Sequence, residues 1–152
     1  MQRYIYPNHE EIIKIHDNII LISGWLNWYY PEKIWYISAC CDFIQNDDYY
    51  MEFADKLSYL MYSISMGHCF CDGNKRTALI IASYFIHINY NKFLADKFIS
   101  EFENIVVQVA DNIISKNSLT QCISDFMQNF ELQESSLLLI YHDLQEHWLM
   151  DK

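Results

Sequence analysis

His68-Cys69-Phe70-Cys71-Asp72-Gly73-Asn74-Lys75-Arg76 runs without a break into the apolar stretch from Thr77 to Ile88, and these 21 residues decide how the chain is read. The second part is apolar on nearly every side of a helix, which predicts a central, buried helix over about 75–88. The first part is a short polar loop feeding the start of that helix. A helix start presents unsatisfied N–H groups and the positive end of a dipole, and the usual anion found there is phosphate. The side chains suit that ligand. Gly73 lets the backbone approach closely, and Asn74 and Arg76 can donate to phosphate oxygens. Asp72 can act as helix N-cap and can also hold a magnesium ion, which keeps several waters and needs only one or two carboxylates. His68 is placed to accept a proton from a hydroxyl. Phe70 reads as an apolar anchor for the loop. The nine residues thus carry the parts needed to move a phosphate-containing group onto a hydroxyl.

Working outward, the rest of the chain also reads as helices. Asn8 and Glu11 have capping-box spacing before a first helix whose apolar residues are Ile12, Ile15, Ile19 and Ile22, with Gly24 as its stop. An aromatic segment, Gly24 to Tyr30, precedes Pro31, which suits the first turn of a second helix reaching about Gln45. Asn46-Asp47-Asp48 is expected to cap a third helix ending at Gly67. Asp96 is expected to open a helix to about Ile114, Ser118 one to about Phe130, and Ser135 or Ser136 a last, amphipathic one to about Leu149. The prediction is an all-α domain spanning 1–152, with no repeat, linker or low-complexity segment.

Composition narrows the function classes. Apolar residues make up 52% and aromatics 16%, which excludes a disordered chain. A formal net charge of −10 opposes nucleic-acid binding, which needs a basic footprint. No signal peptide and no membrane span is expected, and the odd set of five cysteines reads as reduced cytoplasmic thiols. His68, Cys69 and Cys71 do not make a zinc site by spacing, because no second ligand pair accompanies them.

The loop resembles the H-x-F-x-D/E-x-N-x-R signature of the Fic/Doc (Fido) superfamily, and closely the H-x-F-x-D-x-N-K-R form of Doc (death-on-curing) toxins. His68, Phe70, Asp72, Asn74, Lys75 and Arg76 all match it. Glu10 to Asn18 is similar to the first helix of Doc proteins, and the likeness runs from about residue 8 to about residue 130. It implies a Fido-type helical bundle around one central helix, with His68 as the catalytic base and Asp72 holding Mg²⁺. Gly73, Asn74, Lys75 and Arg76 would bind ATP. It also implies a target-binding flap near Trp25, Asn27 and Trp28, although those tryptophans could equally be packing. Doc proteins often carry alanine where this chain has Gly73.

Lys75 separates two chemistries within that resemblance. AMP-transferring Fic proteins carry a glycine there, whereas in Doc-type proteins the lysine goes with ATP lying reversed, its γ-phosphate toward the histidine. The expected activity is therefore transfer of the ATP γ-phosphate to a Ser, Thr or Tyr hydroxyl of a target protein, with elongation factor Tu as the implied target and translation inhibited. Fic-type AMP or NMP transfer is the alternative, and a catalytically inactive protein that binds a nucleotide or partner is a third. The inhibitory pattern S/T-x-x-x-E-G/N of some Fic proteins is absent from the sequence. Inhibition is thus expected from a separate Phd-like antitoxin, and neither nucleic acid nor membrane is expected as a partner.

Overall fold

The computed structural model describes residues 3–23, 33–70 and 73–151, and these form seven helices and no extended strand. In chain order they are α1 (His9–Ser23), α2 (Ile34–Phe43), α3 (Phe53–Met66), α4 (Asn74–Asn89), α5 (Lys92–Ala110), α6 (Lys116–Asn129) and α7 (Glu134–Met150). α4 is the central helix of this all-α bundle, packed by α1, α3 and α5. Its composition explains the position. Ala78 and Ala82 are fully buried and small enough to let neighbouring helices close in, while Ile81, Phe85 and Ile86 are fully buried beside them. Each such large side chain contributes roughly 1.5–3 kcal/mol through burial. Beyond α4, Phe98 and Phe102 of α5 stack at 4.2 Å, and Phe126 of α6 meets both edge-on.

Two polar contacts fasten the chain's start to α4. The Asn89 amide exchanges hydrogen bonds of 2.8 Å with the Ile5 backbone, and Tyr84 Oη donates to Glu11 Oε1 at 3.3 Å. The Asn8–Glu11 capping box forms as expected, with both reciprocal bonds at 3.0 Å. The buried stripe of α1 differs from the all-isoleucine reading. Ile12, His16 and Ile20 are the fully buried residues, and Ile22 points to solvent. The helix is turned so that a histidine, rather than an isoleucine, enters the core.

Four helix starts fall elsewhere than predicted, and in α3, α5 and α6 the reason is that a different side chain caps the helix. α3 opens after Glu52, which forms a reciprocal box with Asp55. The residues expected to cap it are otherwise engaged: Asn46 Oδ1 accepts from Asp48 N–H, and Asp47 pairs with Lys56. α5 starts one turn early because Asn91 Oδ1 accepts from Leu94 N–H at 2.8 Å, leaving Asp96 inside the helix beside Lys92. Ser115, not Ser118, caps α6 by accepting the Ser118 N–H. α7 opens after Gln133, so Ser135 and Ser136 lie within it, and the Ser136 hydroxyl donates to Asp125 at 2.7 Å. α5 also ends at Ala110, before Ile114, in a turn where Asn112 has φ 58°.

Lys56 is fully buried, and its ammonium donates to the Ile44 carbonyl and to Asp47, both at 2.7 Å. Burial pushes its pKa down, but the bonds to Asp47 and Tyr6 outweigh that, and the net shift is upward. With the folded value raised, the contribution to stability is complete below the ordinary lysine value and lost as pH rises through the folded one. Asp47 is half-exposed, so water screens part of the pair. Asp47→Ala is expected to destabilise by about 1–3 kcal/mol, read as a lower urea midpoint at constant slope. An unchanged midpoint would mean that the Ile44 carbonyl alone satisfies the ammonium.

Candidate active site

A pocket of about 750 Å³ lies between the first turn of α4 and one face of α5. The 68–76 loop reaches it because α3 ends sharply. Gly67 is its C-cap, and a Cβ there would sit 2.5 Å from the Tyr36 ring and 2.7 Å from the Ser63 carbonyl, so only glycine lets Tyr36 pass. His68 follows with φ 47°, in the left-handed region that non-glycine residues rarely enter. Such backbone conformations cost about 1–3 kcal/mol and cluster at functional sites. Here the result is an exposed imidazole on the pocket wall.

Cys69 and Phe70 turn inward and are buried. Burial pushes the Cys69 thiol up to about 11, so it stays neutral at pH 7. Phe70 stacks face to face on His16 of α1, ring centroids 3.7 Å apart and planes 9° apart. Its backbone is held by Asn74. The Asn74 Oδ1 accepts from Phe70 N–H at 3.2 Å, and Nδ2 donates to the Phe70 carbonyl at 2.9 Å. The amide that the sequence assigned to phosphate therefore also closes the loop, and its NH₂ group retains a second hydrogen to donate.

Gly73 is the N-cap of α4 at φ 79°, and no side chain caps the helix there. A Cβ at that position would meet Ile20 Cδ1, the movable end of a side chain, at 3.0 Å and the His16 ring at an ordinary 3.6 Å, so it is the positive φ that calls for glycine. Thr77, one turn on, is fully buried with its hydroxyl unpartnered. Lys75 and Arg76 line the pocket, and Lys75 Nζ reaches Asp111 Oδ1 across it at 3.2 Å.

His68, Gly73, Asn74, Lys75 and Arg76 thus line one cavity. Asp72, assigned to magnesium, and the flap residues Trp25, Asn27 and Trp28 lie outside the described residues. The opposite wall was not anticipated. Glu103, Asn104, Val107 and Asp111 come from α5 and its C-cap. Their helical spacing could have shown that they share a face, but nothing local says which face meets the loop. His16 was missed as a site neighbour because a histidine in an apolar stripe reads as ordinary core.

The cavity has the size of an ordinary small-ligand site and is cationic on the α4 side, in a chain of net charge −10. A model of the Fic/DOC family matches residues 6–86, more than half of the chain. The chain belongs to the Fic/DOC family. The helical bundle around α4 is accordingly of Fido type. The chain is also 33% identical to Toxin Doc of Mycolicibacterium smegmatis over 79 residues, which are 52% of this chain and 61% of that relative. The likeness thus spans less than two thirds of the relative's own length. The family match takes in α1, the loop and most of α4, while the α5 wall lies beyond it. Among the described residues no helix is long and apolar enough to cross a membrane.

Proposed function

We propose that this protein is a Doc-like toxin that transfers the γ-phosphate of ATP to a hydroxyl of a target protein. The observation that carries this reading is the position of Lys75 inside the pocket, two residues past Gly73 and on the same wall as His68. A lysine there places a point charge and a long side chain where AMP-transferring relatives have a glycine, and the two residues cannot hold the same phosphate geometry. The similarity to Toxin Doc supports the toxin part of the reading.

In this mechanism the start of α4, with Lys75 and Arg76, binds and orients the phosphates and stabilises the charge that spreads over them as the bond breaks. The target hydroxyl oxygen attacks the γ-phosphorus, the bridging oxygen leaves with ADP, and the hydroxyl proton passes to the His68 imidazole. Asp72 would be the residue to hold a magnesium ion, which keeps several waters and needs only one or two carboxylates. When bound, Mg²⁺ supplies further charge neutralisation at the phosphates. Elongation factor Tu is the target we propose, and a Phd-like antitoxin the inhibitory partner.

Incubation with a bacterial lysate and either γ-labelled or α-labelled ATP tests the chemistry. Protein label from the γ position alone is the expected result, and label from the α position would instead make the protein an AMP transferase. Lys75→Gly removes one cation from the phosphate site and frees Asp111. It is expected to lower γ-transfer about ten- to a hundredfold, the size of a lost charge-assisted hydrogen bond. Equal γ-transfer by this variant and the wild type would reduce Lys75 to a surface charge.

A further inference from the structure

The proposed chemistry makes no use of His16, yet this is the one histidine that is fully buried among the described residues, and it lies directly beneath the loop. Its ring is held on three sides. One face stacks on Phe70 at 3.7 Å. The Cδ2–Nε2 edge is 3.6 Å from where a Gly73 Cβ would stand. Nδ1 lies 3.2 Å from Asp17 Oδ1, and because a carboxylate only accepts, that nitrogen carries the hydrogen. A single imidazole from α1 therefore stacks on the loop at Phe70 and lies beside Gly73, the residues that fix its path into α4.

From this arrangement we propose that His16 is a positioning residue for the phosphate-binding loop, and that Asp17 sets its ring orientation; the proposal rests on the phosphoryl-transfer reading above. The mechanical route is short. His16 holds the Phe70 ring, the Phe70 backbone is bonded twice to the Asn74 amide, and Asn74 opens α4 on the pocket wall. A shift of Phe70 is thereby passed to the residue that faces the phosphates. An ordinary aliphatic core residue such as isoleucine could fill the volume, but it would offer neither a flat face for the Phe70 stack nor a donor to Asp17.

The test compares His16→Ala, His16→Phe and Asp17→Ala in the full chain. Amide hydrogen exchange of residues 68–76 needs no transfer activity and is read beside the thermal midpoint. Faster exchange confined to the loop is expected in His16→Ala, with a smaller effect in Asp17→Ala and recovery in His16→Phe, which restores a flat ring. Steady-state transfer should follow the same order. His16→Ala should lower kcat about ten- to a hundredfold, as a displaced binding loop does, and change the KM for ATP less. If His16→Ala does not fold, Asp17→Ala decides, since its side chain is partly exposed and its loss leaves the core filled. Wild-type loop exchange and wild-type kcat in a folded variant lacking the ring or its tether would overturn the proposal, as would His16→Phe exchanging no more slowly than His16→Ala. A wild-type protein that transfers no label refutes the phosphoryl-transfer reading instead, and the exchange data still decide the role of His16.

Discussion

His68→Ala is expected to lower phosphoryl transfer about 10²–10⁴-fold, the usual consequence of losing a general base. Of the described residues on the pocket wall, His68 carries the imidazole, the side chain that most often takes a proton in such a step. The backbone at this position complicates the choice of variant. With φ at 47°, alanine is strained where histidine and asparagine are better tolerated, so His68→Asn is the cleaner companion. It keeps the left-handed conformation and cannot act as a base of comparable strength. Both variants should retain wild-type binding of Mg·ATP by calorimetry, because the α4 side chains proposed to bind it, Asn74, Lys75 and Arg76, are untouched. Transfer at the wild-type rate in His68→Asn would remove His68 from the chemistry. Loss of transfer together with loss of nucleotide binding would instead place its role in binding.

Phe70→Ala is the substitution with the largest expected effect on stability, about 3–5 kcal/mol. The side chain is 1% exposed and loses its stack with His16, and the cavity left behind lies between α1 and the start of α4. That loss is a large part of the net stability of an ordinary domain, commonly about 5–15 kcal/mol. It should appear as a marked fall in the urea midpoint. The effect should also reach the site, because the Phe70 backbone is bonded to Asn74 in both directions. Weaker Mg·ATP binding in the folded fraction is therefore expected, and Phe70→Leu should restore most of the stability while leaving binding impaired. A destabilisation below about 1 kcal/mol would show that the loop does not depend on this anchor.

Much of the site could be read along the chain because its parts are consecutive. His68, Gly73, Asn74, Lys75 and Arg76 all belong to one loop and the first turn it feeds, so local geometry alone brings them to one wall. The central helix was legible for a related reason: residues 77–88 are apolar on nearly every side of a helix, which favours burial. The Asn8–Glu11 box formed for the same local cause. Helix starts were less legible where several polar residues competed. Asn91 caps α5 and Ser115 caps α6, while Asp96 and Ser118 lie inside the helices that follow, and a cap is decided by which side chain the backbone path brings to a free amide.

Asp111 stands 36 positions from Lys75, and His16 stands 54 positions before Phe70. No periodicity along α1 or α5 encodes either meeting. Both follow from the rotation of a helix about its own axis when it packs on α4, which is set by the shapes of all its neighbours at once. Chain order thus determined the all-helical class, the buried axis and the consecutive residues of the 68–76 loop. Tertiary packing alone decided that α5 forms the other wall of the pocket and that an imidazole from α1 lies under the loop, because long-range contacts depend on how whole helix surfaces fit together.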